Sequence, residues 1–247
     1  MSDLRYRVIN QTGSQASEMD LGLRSYMMKV YGYMFMGLSF TGFMAFAVTR
    51  IPELQQLLFA IDATGRYVPS GFTWFLLFAQ VGAVLFLSLR INHLQSNTAR
   101  LIFFAYALLM GLSLSSVFLV YTGASLSRVF FITSSVFGAM TLYGYVTKRD
   151  LTGFGSFLFM GLIGIVLASL VNIFLKSSMM DFIVSVLGVL IFTGLTAYDT
   201  QRIKEIYYEN DSGEVQSKKA VMGALALYLD FINLFLHLLR FLGDRRN

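Results

Sequence analysis

Residues 154–175 read FGSFLFMGLIGIVLASLVNIFL. No charge interrupts these 22 positions. A helix crossing the ~30 Å hydrocarbon core of a bilayer needs about 20 mostly apolar residues. The stretch therefore reads as a membrane span. It does not alternate polar and apolar residues as a barrel strand must, and neither does any other segment of the chain. The same test applied outward in both directions finds six more spans. They cover Lys29–Val48, Phe72–Leu89, Leu101–Tyr121, Val129–Thr147, Phe182–Ala197 or somewhat further, and Ala220–Leu242.

Composition agrees with this parsing. Of 247 residues, 56% are hydrophobic and 13% charged, about half the ~25% charged share of a soluble domain. Mean hydropathy is +0.64. The 33 charged residues are too few to cover a soluble surface of this size. The 24 Phe, 13 Met and 21 Gly suit helices packed in lipid. With no cysteine, disulfides, thiol catalysis and thiolate metal sites are excluded. The net charge of +5 is spread thinly between apolar runs, which points to membrane orientation and not to nucleic acid. The expected fold class is an all-α integral membrane protein, a seven-transmembrane-helix bundle. Residues 1–28 form its N-terminal tail and 29–247 its transmembrane domain.

Orientation follows the distribution of Lys and Arg. Twelve lie in the tail and the loops that share its side, and seven on the other side, so the N-terminus is expected in the cytoplasm. Met1–Tyr26 lacks the apolar core of a signal peptide, which fits a bacterial inner membrane. A complete seventh span puts the C-terminus outside, against the basic run from Arg240 to Arg246. A full span is expected over a segment that returns. Met-Gly-Leu recurs at 36–38, 110–112 and 160–162, in the first, third and fifth spans, where small residues let helices approach.

An ionisable residue inside a span costs ~2.5–3.5 kcal/mol on insertion scales and is a functional candidate. Asp230 has about ten apolar-rich residues on each side. Asn233, His237 and Arg240 fall on its face of the helix, giving the last span one polar stripe. The competing reading is a buried polar cluster that only pins packing. Asp199 lies near the inner end of the sixth span, where it can face the interface or pair locally with Arg202. A short polar turn joins the two spans, so they are antiparallel neighbours and their carboxyls can approach. Close carboxyls in a low dielectric cannot both ionise comfortably, and they titrate as a pair. They can also take a hard cation such as Ca²⁺, weakly, with water or carbonyls completing its shell. Arg90, at the inner end of the second span, is the expected salt-bridge partner of Asp199, or else a positive-inside anchor. His237 is one of two histidines, so a multi-histidine metal site is excluded.

Enzyme readings fare poorly. Tyr198-Asp199 fits the Tyr-Asp element of intramembrane aspartyl proteases, but Asp230 lacks their Gly-x-Gly-Asp context and no proline follows Pro69. No Walker loop, dinucleotide fingerprint or zinc motif is present. No enzymatic activity and no cofactor are expected.

The run Leu227-Tyr228-Leu229-Asp230-Phe231-Ile232-Asn233-Leu234-Phe235, continuing to Leu239-Arg240-Phe241-Leu242-Gly243, resembles the signature of the Bax inhibitor-1 family. Tyr198-Asp199-Thr200-Gln201 with Ile203-Lys204 resembles the family's sixth-span motif. The resemblance covers essentially the whole chain. It implies a bundle with the seventh helix central and the other six around it. It also implies a pH-sensitive calcium leak, with Asp199 and Asp230 as paired carboxylates that bind calcium weakly and Arg90 as the gating partner. Lipid, calcium ions and protons are the implied partners, and some bacterial relatives associate with a membrane-bound AAA protease. A non-conducting regulator of such a protease or of a translocon is therefore the alternative function. The chain departs from the shortest bacterial members in its longer tail and first loop. It also lacks an acidic residue in the second span, which reads Phe78-Ala79-Gln80-Val81.

Overall fold

The computed structural model describes residues 2–61 and 67–246, with side-chain detail for 21–60 and 68–246. Eight α-helices follow in order: α1 (Ser2–Val48), α2 (Pro52–Leu58), α3 (Gly71–Arg90), α4 (Ser96–Val120), α5 (Gly123–Val146), α6 (Thr152–Leu175), α7 (Ser178–Glu205) and α8 (Gly213–Leu242). Seven of them, all but α2, are long and apolar enough to cross a membrane.

The spans fall where hydropathy puts them, and their ends run longer. Helix α1 is already helical from Ser2, well before Lys29. Helix α4 begins at Ser96, not Leu101, and α8 at Gly213, not Ala220. The added turns carry polar residues, which an apolar-run reading leaves out. They are helical because their backbone groups are satisfied locally. Ser212 caps α8 by accepting from Val215 N at 3.3 Å. The Glu214 carboxylate accepts from both the backbone N–H and the hydroxyl of Ser96, the latter at 2.7 Å. That contact ties the start of α8 to the start of α4. The first loop also holds a short hairpin, β1 (Phe59–Ile61) antiparallel to β2 (Tyr67–Pro69), with Phe59 opposite Pro69. It sits on α2, and Pro52 starts that helix in the position where a missing N–H costs nothing. Arg66, one of the seven Lys and Arg residues counted on the outer side, lies outside the described residues.

Helix α8 is the centre. In its most apolar window 61% of residues are buried, against 17–44% for the other six spans. Helices α1, α4, α5 and α7 pack directly on it, while α3 packs on α4 and α6 on α7. At 30 residues, α8 is about 45 Å long, more than the ~30 Å hydrocarbon core. Its far end meets the α4–α5 connection, where Thr122 N donates to Asp244 O at 3.2 Å and Arg246 N to Val120 O at 2.8 Å. Arg128 adds an ion pair to Asp244 at 2.8 Å. The helix therefore crosses completely and does not turn back. The two ends of the bundle are called here the turn end, with the α7–α8 connection, and the tail end, with the C-terminus.

The three Met-Gly-Leu glycines each face a neighbouring helix. A Cβ on Gly37 would meet the Phe103 ring, one on Gly111 the Thr41 backbone, and one on Gly161 the Ile191 side chain. The tightest approach of two backbones is Gly144 of α5 against Ala197 of α7, where a Cβ would fall onto the Ala197 carbonyl. Gly144→Ala is expected to lower the thermal unfolding midpoint in detergent, since overpacking costs about 1–3 kcal/mol. Gly82→Ala, whose added Cβ meets nothing within 4 Å, should leave the midpoint unchanged or raise it.

Candidate functional site

Helices α7 and α8 run antiparallel, in a register fixed by three contacts. From the turn end, Gly223 packs on Ile203, Asp230 faces Asp199, and His237 lies over Gly188. Asp199 and Asp230 act on each other electrostatically and lie within reach of the hydrogen bond that one shared proton would make. Asp230 is 5% exposed. Its Oδ2 is buried and has no hydrogen-bond partner among the described residues. Asp199 is half-buried. The cation acting on it is Arg202, one turn further along α7.

Both carboxyls stand on the wall of a cavity of about 870 Å³ between α6, α7 and α8. The whole stripe anticipated on α8 faces it: Asn233, His237 and Arg240 line the same space, as does Arg202. Asn233 donates from Nδ2 to Leu229 O at 2.8 Å. The His237 ring stacks on Phe192 with centroids 5.6 Å apart, and its Nδ1 has no hydrogen-bond partner among the described residues. The remaining wall is mostly aliphatic and aromatic.

Arg90 is placed elsewhere. It ends α3, is exposed, and has no ion pair among the described residues. The expected Arg90–Asp199 pair is not formed in this structure. The reason lies in lateral position. Helix α3 is fixed to α4 by Gln80, whose Nε2 donates to Leu109 O at 3.1 Å and to Ser113 Oγ at 2.6 Å. Helix α3 thus stands away from α7, although Arg90 reaches the same end of the bundle. Gln80 is directed into α4 and is not among the residues lining the cavity, so the second span supplies no ligand there. No group of three or more acidic, histidine or cysteine side chains suited to a metal occurs among the described residues.

The role of α6 went unread in the sequence. Gly155, Ser156, Ile165 and Ser169 form one wall of the cavity. The uniform apolarity that makes α6 an obvious span leaves no stripe to mark its inner face. Its serines, which bond back to Thr152 O and Ile165 O, are the faint signal. Gly155 admits the Tyr198 ring, against which a Cβ would clash. Gln201 clamps the start of α6, accepting from Leu151 N at 2.8 Å and donating to Arg149 O at 2.8 Å.

Residues 23–247 match the family model described as inhibitor of apoptosis-promoting Bax1. The chain belongs to the Bax inhibitor-1 family. An uncharacterized protein of Rickettsia prowazekii is 48% identical over 236 residues, covering 96% of each chain. The inner membrane protein YbhL of Escherichia coli K12 is 48% identical over 227 residues, covering 91% of this chain and 94% of its own. An uncharacterized membrane protein of Streptococcus pyogenes is 36% identical over 232 residues, covering 92% and 96%. Family membership and seven spans together make this an integral membrane protein of the Bax inhibitor-1 family.

Gly188→Ala is expected to push the His237 ring off Phe192, because the new Cβ would fall inside the imidazole. With only two histidines in the chain, the NMR signal of His237 should move while that of His93 stays in place. Two unchanged signals would contradict the contact.

Proposed function

We propose that the protein passes calcium ions across the membrane down their gradient, along the α6–α7–α8 cavity, with the Asp199–Asp230 pair as gate and pH sensor. The reading rests above all on the meeting of two carboxyls from different helices on the wall of a membrane cavity, one with a buried oxygen that lacks a partner among the described residues. Carboxyls this close share a proton and titrate as a unit. With the proton held, one hydrogen bond closes the pair on itself. With the proton lost, two like charges repel, and both turn toward the cavity and toward any hard divalent cation, which takes oxygen ligands. Two carboxylates leave most of that ion's shell to water and carbonyls, so the site suits transit more than residence. Arg202 and Arg240 put positive charge toward either end of the cavity. A cation then enters only when the ionised pair offsets them. Arg202 takes the part expected of Arg90.

In this reading the N-terminus lies on the cytoplasmic side of a bacterial inner membrane. The Lys and Arg bias supports that orientation, and the description of the Escherichia coli relative supports the membrane. The chain has no cysteine, so single replacements report topology directly. Asn210→Cys in the α7–α8 connection should be shielded from a membrane-impermeant maleimide added to spheroplasts. Ala124→Cys near the start of α5 should be labelled. The reverse pattern would invert the orientation.

Calcium flux into liposomes holding the purified chain tests the function. The wild type should show flux with one pH transition. In Asp199→Asn with Asp230→Asn the transition should vanish. Flux should fall roughly 10- to 100-fold, since a charge-assisted contact is worth about 1.5–3 kcal/mol. Flux and pH response untouched by the double change would remove these residues as the site. No flux from the wild type would favour a non-conducting regulator of a membrane-bound AAA protease.

A further inference from the structure

A second cavity, of about 720 Å³, opens at the tail end between the termini of α4, α6, α7 and α8. Its wall carries Lys176, Arg240 and Arg245 against one carboxylate, Asp181. That carboxylate is already engaged, accepting from Asn172 Nδ2 at 2.6 Å. None of the three cations has an ion pair or a side-chain hydrogen bond among the described residues.

Lys176 is unusual in its backbone. It ends α6 at φ 49° and ψ 36°, the left-handed position that closes many helices, with its N–H bonded to Asn172 O. It is the only non-glycine residue at positive φ among the described residues. Glycine takes this conformation at less cost. A lysine here holds an ammonium at the mouth of the cavity in spite of the backbone.

The two cavities adjoin, with Ser169, Ile173 and Arg240 in the walls of both. Past Arg240 toward the carboxyl pair, Val166, Leu170 and Leu236 form an apolar side of the cavity, beside the His237 and Asn233 stripe of α8. Phe182 and Phe241, both exposed, stand at the lip with ring centroids 5.7 Å apart. From Arg240 back to Asp230 is ten residues of α8, or about 15 Å. That is half the ~30 Å hydrocarbon core, the depth of one leaflet.

We propose that this composite groove binds one anionic phospholipid, its phosphate held by Lys176, Arg240 and Arg245 and one acyl chain lying between α6 and α8. Guanidinium forks match phosphate oxygens in geometry and charge. The apolar stretch has the length of a single leaflet's chain. Water-soluble phosphates would use only the mouth and leave the apolar groove unfilled. The chain's tip ends at the depth of Asp199 and Asp230, so an occupied groove is a drier one. The groove shares the α6–α7–α8 cavity with the proposed calcium path, while the binding test reads lipid alone and does not depend on flux.

Native mass spectrometry of the full chain in detergent, with phosphatidylglycerol, phosphatidylcholine or glycerol 3-phosphate added, tests the site. Phosphatidylglycerol should be retained several-fold more than phosphatidylcholine. Arg245→Gln and Lys176→Gly should each weaken its retention about five-fold, the effect of one basic residue near a phosphate surface. Lys176→Gly relieves the left-handed backbone, so its thermal midpoint should hold or rise while lipid is lost. That outcome separates a binding defect from misfolding. Equal retention of the two lipids would overturn the proposal. So would phosphatidylglycerol binding untouched by both changes, or displacement of the lipid by an equal concentration of glycerol 3-phosphate.

Discussion

A carboxyl in the middle of a membrane helix cannot face hydrocarbon, because nothing there can hydrogen-bond to it. Asp230 places that constraint on α8, and the arrangement of the bundle is consistent with it throughout. The helix stands at the centre, with α1, α4, α5 and α7 directly around it. Its polar stripe does not turn to lipid but lines an internal space with Asp199 on the opposite wall. The remaining spans, α3 and α6, are pushed to a second layer, against α4 and α7. Most of their large apolar side chains, such as Phe78 and Phe174, are free to meet lipid.

What the sequence disclosed, and what it withheld, follows from the kind of information hydropathy carries. It reports depth, so the seven spans and the approach of Asp199 to Asp230 were legible: a short turn makes neighbours of α7 and α8, and depth then brings two residues together. It does not report lateral order. Arg90 ends a helix that is fastened to α4 through Gln80, and its pair with Asp199 is not formed among the described residues. Nor does hydropathy see helix outside the hydrocarbon, so the first turns of α4 and α8 and the loop hairpin were missed. The cavity wall on α6 was hidden for the opposite reason, since a helix apolar all round gives no sign of which face it turns inward.

The bundle is unevenly held around its central helix. On one side, Tyr228 of α8 and Thr41 of α1 meet at 2.6 Å, and Thr41 Oγ1 lies 2.8 Å from Ala107 O of α4. Gly37 and Gly111 bring the same three helices into close contact, and the Phe103 and Tyr106 rings pack edge-on to Tyr228. Small residues and interhelical hydrogen bonds are the adhesive available in lipid, where apolar association brings no gain over the solvent. On this side buried hydroxyl bonds link three helices at one depth.

The other half holds the cavity, and α6 is its least restrained wall. Helix α6 packs on α7 through Gly161 against Ile191 and Gly194 against Leu158, contacts of side chain on backbone, and the hydrogen bond between the two helices, Asn172 to Asp181, lies at the tail end. Its polar restraints are at its ends. Gln201 grips the loop that leads into it, and at the tail end Asn172 bonds to Ser177 and Asp181. A change in the width of the space around Asp199 and Asp230 therefore falls on α6 between these two fastenings. Moving α8 would instead break the Tyr228–Thr41–Ala107 linkage and expose Asp230. The same carboxyl that fixes α8 at the centre thus confines the adjustable part of the fold to the helix opposite it.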